Sequence, residues 1–179
     1  MRSVLISINP KWCELIASGK KTVEVRKTRP KIDTPFKVYI YETKGKLRWC
    51  NKCQDSDCER PYPGCACFEG YGKVIGEFVC DQIDEIGFSP ETHGKYISDI
   101  DDIHYVSCLN FEQMFDYLAD GFGYGWHISD LVIYDKPREL SEFRSYNVGI
   151  RLENGYPLPT HEIQRPPQSW MYVESEDEG

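Results

Sequence analysis

An α+β domain built on a small β-barrel with two or three helices is the fold class this sequence predicts, and three observations carry it. Five to seven short apolar or alternating runs of strand length are spread along the 179 residues without regular strand–helix alternation, which argues against a doubly wound parallel sheet. Only two segments show helical spacing. Neither a glycine-rich phosphate loop nor a G-x-S-x-G turn occurs, which removes the usual dinucleotide, triphosphate and serine-hydrolase layouts.

The elements follow in order. Residues 3–8 (SVLISI) suit a short buried strand. Asn9-Pro10 then reads as a helix start, with Asn9 able to cap and Pro10 already at helical φ. Trp12, Leu15 and Ile16 recur at helical spacing and are expected to face the core, and Gly19 is placed to end the helix in a left-handed turn. The TVEVRK run alternates, so Val23 and Val25 point one way while Thr22, Glu24 and Arg26 point the other. Further strands are expected at 36–41, 73–80, 131–134, 147–152 and 169–173. A second helix is expected over 110–119, capped by Asn110, with Phe111, Met114, Phe115 and Leu118 on one face. One domain over 1–173 results, with a polar, Cys-rich insertion at 44–72. The acidic residues 174–179 (ESEDEG) are expected to form a disordered tail.

Charge narrows the function classes. The chain has a formal charge of −8, yet residues 1–48 hold twelve Lys or Arg against four Asp or Glu, a net of +8, so residues 49–179 carry −16. An acidic chain of pI near 5.0 does not coat duplex nucleic acid, but a local basic face accepts a phosphate, a nucleotide or a single strand. The plain alternative is that these lysines only solvate edge strands and a helix face. No apolar run approaches the roughly 18–20 residues needed to cross a bilayer, and no signal-peptide core follows Met1. A cytoplasmic protein without membrane contact is expected, monomeric by default.

In a reducing compartment, cysteines favour thiol or metal chemistry over disulfides. Cys50, Cys53, Cys58, Cys65 and Cys67 follow one another as C-x2-C-x4-C-x6-C-x-C. Four of the five are expected to hold a structural Zn²⁺, because C-x2-C lets two thiolates reach one tetrahedral ion and a polar insertion gains folding energy from it. A reduced disordered loop, a disulfide or an iron–sulfur arrangement are the alternatives. Elemental analysis of protein purified without chelator is expected to give about one zinc per chain, and a metal-free preparation with the insertion ordered would contradict it. Cys13, Cys80 and Cys108 sit in apolar patterns and read as small hydrophobes.

Two stretches carry the site. In GFGYGWHISD (121–130), glycines interleave with Phe122, Tyr124, Trp126 and His127. As a loop, this segment either plugs a barrel end with Trp126 or offers Tyr124, Trp126 and His127 as a stacking and hydrogen-bonding platform for an unpaired base. The other stretch is GKKTVEVR, which fits G-x-K-x-x-E-x-R with Gly19, Lys21, Glu24 and Arg26 in the four fixed places.

That pattern resembles the ASCH domain, a branch of the PUA-like superfamily. LISINPKWCELIASGKKTVEVRKTRP, YGWHISDLVIYDKPRELSEF and RPPQSWMYVE together resemble a short bacterial and prophage subgroup of it, leaving 43–72 and 87–123 outside the resemblance. The resemblance implies a PUA-like barrel crossed by a helix, with Lys21, Glu24 and Arg26 in a cleft that binds RNA, single-stranded nucleic acid or a modified nucleotide. The chemistry agrees: Arg26 is a planar fork for phosphate or a base edge, Lys21 a movable point charge, and Glu24 an acceptor for an exocyclic amine. The alternative for these charges is a structural ion pair at the helix-to-strand corner.

Some ASCH proteins hydrolyse an acylated cytidine and resemble this chain in carrying lysine at the place of Lys21. Their threonine nucleophile lies three residues on, where this chain has Glu24. Thr22 lies about 7 Å away along the strand. An amidohydrolase or ribonuclease using Lys21, Thr22 and Glu24 is therefore the second expectation. A phage-encoded protein-interaction module, with the basic face against an acidic partner, is the third.

Overall fold

A computed structural model of the chain describes residues 2–45, 70–89, 95–98, 100, 102–119, 121–146 and 160–174. The expected strand at 147–152, all five cysteines of the 44–72 insertion and the tail from 175 lie outside the described residues.

The first apolar run forms β1 (Arg2–Ile8), and Asn9 caps α1 (Pro10–Ala17) by accepting the Lys11 N–H at 3.2 Å. Gly19, at φ +71°, takes the left-handed position beyond the helix, where an L side chain would be strained. The chain then turns into β2 (Val23–Arg26) and β3 (Phe36–Glu42), and β3 pairs with β1 in parallel, Ile6 opposite Ile40. After the insertion come β4 (Lys73–Cys80), β5 (Ile83–Ser89) and β6 (Lys95–Ser98). Two short helices follow, α2 (Ile103–Ser107) and α3 (Phe111–Tyr117). Last come β7 (Phe122–His127), β8 (Ser129–Arg138) and β9 (Trp170–Glu174).

The strands form two sheets, ordered β8-β4-β3-β1-β9 and β2-β7-β5-β6. The fold is thus α+β with few helices, but among the described residues no ladder closes the sheets into the expected barrel. The physical reason lies in edge usage. Among the described residues no end strand of the first sheet, β8 or β9, is laddered to an end strand of the second, β2 or β6, so the sheets are joined by chain crossings such as Ile128 between β7 and β8.

The structure corrects the expected loop at 121–130, most of which is strand. β7 runs through the middle of the second sheet, and its glycines are small because other elements cover that face: a Cβ at Gly123 would meet Leu118, and one at Gly125 would meet Ile100. Val23, Val25, Ile86, Ile103, Met114 and Leu118 fill the core on this side. Ile6, Val38, Ile40, Phe78 and Trp126 pack in the core bordering the five-stranded sheet. Helix α3 also departs from its expected face. Met114 and Leu118 are buried, but Phe111 and Phe115 stack on each other while remaining exposed.

Candidate functional site

The polar face of β2 does not look onto water. Lys21 is 2% exposed, Glu24 6% and Arg26 8%, so three formal charges are folded inward. Val23 and Val25 face the core of the second sheet, which leaves Glu24 and Arg26 on the opposite side, as alternation requires.

The three groups hold each other. Glu24 Oε2 lies 3.1 Å from Lys21 Nζ and Glu24 Oε1 lies 3.0 Å from Arg26 Nη2. Lys21 Nζ also donates to Val23 O at 2.9 Å and to Ser107 O at 2.7 Å. An ammonium has three donors, so Lys21 is saturated. Its bond to Ser107 satisfies a carbonyl at the end of α2, a helix only five residues long. Arg26 Nη2 donates to Ser7 O at 2.7 Å, while its Nε is buried with no partner among the described residues. Glu24 accepts one bond on each oxygen and keeps further lone-pair positions open.

This triad lies at a cleft of about 650 Å³. Trp12 from α1 and Tyr117 from α3 supply its aromatic walls, and Asn9, Gln113 and Asp116 add polar groups. Asn110 and Gln113 form a reciprocal capping box: the Asn110 side chain accepts the Gln113 N–H at 2.8 Å, and Gln113 Oε1 accepts the Asn110 N–H at 3.1 Å. The cap therefore fixes both the start of α3 and the place of Gln113 at the cleft. Gln113, Asp116 and Tyr117 share one helical stripe at i, i+3 and i+4.

The remaining sequence candidates fall elsewhere. Trp126 is 0% exposed, with its ring 5.9 Å from Phe36 and 6.0 Å from Trp170, so it packs rather than offering a free face. Tyr124 pairs opposite Arg26 and lies under Arg29. His127 Nε2 is 2.7 Å from Asp84 Oδ2. None of these three lines the cleft. Thr22 is exposed and likewise absent from its lining. The five clustered cysteines lie outside the described residues, and among the described residues no group of His, Cys, Asp and Glu is arranged to hold a metal. Burial pushes the Cys13 thiol far up from its ordinary value, Glu42 adding to it, and burial with Asp81 pushes Cys80 up to about 12. Both stay thiols at neutral pH, so neither is an activated nucleophile.

What sequence reasoning misses is the walls. Trp12 starts the apolar stripe of α1 and so reads as core, and Tyr117 lies off the expected apolar face of α3. The three-residue stripe Gln113, Asp116 and Tyr117 is a signal for the α3 wall alone.

The family model for the ASCH domain matches residues 6–116, which includes the whole β2 motif. The chain belongs to the ASCH family. The crystal structure of ASCH from Zymomonas mobilis is similar, with a TM-score of 0.58 at 20% identity over 98% of this chain and 90% of that one. A tyrosine-to-phenylalanine mutant of that Zymomonas mobilis protein gives a TM-score of 0.58 at 19% identity, covering 98% and 92% of the two chains. A serine-to-alanine mutant of it gives 0.56 at 19%, covering 98% and 90%. At these identities the likeness concerns the fold. A comparison with curated protein sequences gives no match. Among the described residues no helix of this ASCH protein is long and apolar enough to cross a membrane.

Proposed function

We propose that this ASCH domain binds an unpaired base of RNA or single-stranded nucleic acid, or a modified nucleotide, in the cleft between α1, β2 and α3. One observation carries the reading: a buried, internally paired Lys21–Glu24–Arg26 triad borders a cleft walled by Trp12 and Tyr117. The cleft volume falls within the range of small-ligand pockets, roughly 300–1,000 Å³.

The charge balance selects the part of the ligand that enters. Lys21 and Arg26 are offset by Glu24 and Asp116, so the formal charge of the lining is zero. A neutral lining with spare acceptors on Glu24 and a spare donor on Arg26 suits the edge of a base, which itself alternates donors and acceptors. Aromatic walls suit its faces. Association of the wider superfamily with RNA and modified bases points the same way.

The test is a titration of the full chain with nucleosides, nucleoside monophosphates and short single-stranded RNA, followed by Trp fluorescence and calorimetry. Tyr117→Ala is expected to weaken binding by about 1–3 kcal/mol, the usual worth of one base–aromatic stack, with little change in melting temperature. Mass spectrometry of the recovered ligand separates a binding module, which returns it unchanged, from an enzyme. Failure of every nucleoside, nucleotide and RNA to bind would overturn the reading.

A further inference from the structure

The buried triad cannot also supply the charge that a nucleic-acid backbone demands. All three protons of Lys21 are committed to Val23 O, Ser107 O and Glu24, and Arg26 is tied to Ser7 O and Glu24. Glu24 pairs with both, and Asp116 balances the second formal charge of the same lining. If a phosphorylated ligand occupies this cleft, its charge is met elsewhere.

Two exposed lysines lie against the aromatic residues of the cleft walls, although neither lines the cleft itself. Lys11 Nζ lies 4.6 Å from the ring centroid of Trp12, and Lys27 Nζ lies 5.7 Å from that of Tyr117. Each aromatic residue that lines the cleft thus carries an ammonium from a neighbouring exposed side chain. Neither lysine is paired with a carboxylate among the described residues. The two come from different elements, Lys11 from the first turn of α1 and Lys27 from the residue after β2.

From this arrangement we propose that Lys11 and Lys27 form a two-point phosphate clamp, and that the ligand is a phosphodiester strand delivering one base to the cleft rather than a free nucleoside. This rests on the base-binding reading above and extends it to the substrate class. In the free protein each ammonium rests against a ring, a modest cation–π contact at an exposed site. When a strand delivers a base to the cleft, the phosphates flanking that nucleotide lie near the two walls, and each ammonium exchanges its ring contact for a charge-assisted hydrogen bond to one of them. Lysine suits this exchange because its stem is flexible and its charge compact. A nucleoside carries no phosphate and so gains nothing from either lysine.

The measurement is the salt dependence of binding. A mixed-sequence octaribonucleotide, its deoxy counterpart and the four free nucleosides are titrated against the full chain, Lys11→Ala, Lys27→Ala, the double variant, and Lys136→Ala as an exposed control on β8. Neutralising two phosphates of a single strand gives a slope of log affinity against log salt of about −1.4, at about −0.7 per phosphate. That is roughly a sevenfold loss between about 50 and about 200 mM salt. Each single variant is expected to bring the slope to about −0.7 and the double variant close to zero, with nucleoside binding unchanged throughout. The deoxy strand shows whether the sugar is read as well; a shared slope for both strands supports the clamp. An undiminished slope in the double variant, with the strand still bound, overturns the clamp and leaves base binding standing. Absence of binding by strand and nucleosides alike overturns both.

Discussion

Replacing Trp126 by alanine is expected to cost about 3–5 kcal/mol of stability, the range for truncating a large buried aromatic residue. The indole is fully buried, meets Phe36 edge-on with planes at 81°, and leans on Trp170, which in turn packs edge-on against Tyr172 in β9. Removing it opens a cavity between β7, the edge of β3 and the last strand, so both sheets lose a shared support. In a chain of this size the loss corresponds to a drop of roughly 6–20 °C in melting temperature. Trp126→Phe is expected to cost much less, since it keeps an aromatic body in place and removes an indole N–H that has no partner among the described residues. Calorimetry on the three proteins checks this. At a temperature where the alanine variant is still folded, its ligand affinity should match that of the parent. Full stability with binding abolished would instead make Trp126 a stacking residue.

Local signals in the sequence were strong where one element sufficed to produce them. Asn9-Pro10 and the Asn110–Gln113 box announce helix starts because a cap is satisfied within three residues. The placement of Glu24 and Arg26 was legible because alternation on a strand fixes their side once Val23 and Val25 are buried, whereas Lys21 lies before β2 and reaches Glu24 from the turn, which alternation does not encode. The opposite holds for β7. Its glycines resemble turn residues until Leu118 and Ile100 are known to lie against them, and nothing within the segment encodes that. Helix α2 spans five residues, too few for a period to show, and is held from outside by Lys21 on Ser107 O and by the Thr22 N–H on Val106 O. The cleft walls depend on how α1 and α3 dock around β2. No rule acting along the chain could have brought Trp12 and Tyr117 to one site, although each lies in a recognisable helix.

Glu24→Gln is expected to destabilise the fold by about 3–5 kcal/mol, because it leaves two buried cations sharing an uncharged partner. The isostere keeps the volume, so the loss reports charge rather than packing. Lys21 would retain two carbonyl acceptors and Arg26 one, which is too little to offset their desolvation at 2% and 8% exposure. Urea denaturation reads the effect as a lower midpoint at unchanged m-value. A loss below about 1 kcal/mol would mean that water reaches the triad and that its charges are not buried in solution. A second variant separates support of the fold from service to a ligand. Replacing all three together, as Lys21→Met, Glu24→Leu and Arg26→Met, removes every charge at once, and such swaps of buried ionic groups for apolar ones are often neutral or stabilising by about 1–4 kcal/mol. Val23 O, Ser107 O and Ser7 O would lose these donors, which offsets part of that gain at about 1–3 kcal/mol for each buried group left unsatisfied. If the triple variant is nearly as stable as the parent and no longer binds a base, the fold does not need the triad. Its buried charges would then be kept because a carboxylate held between two cations presents fixed acceptors to a ligand, which no apolar core residue can do.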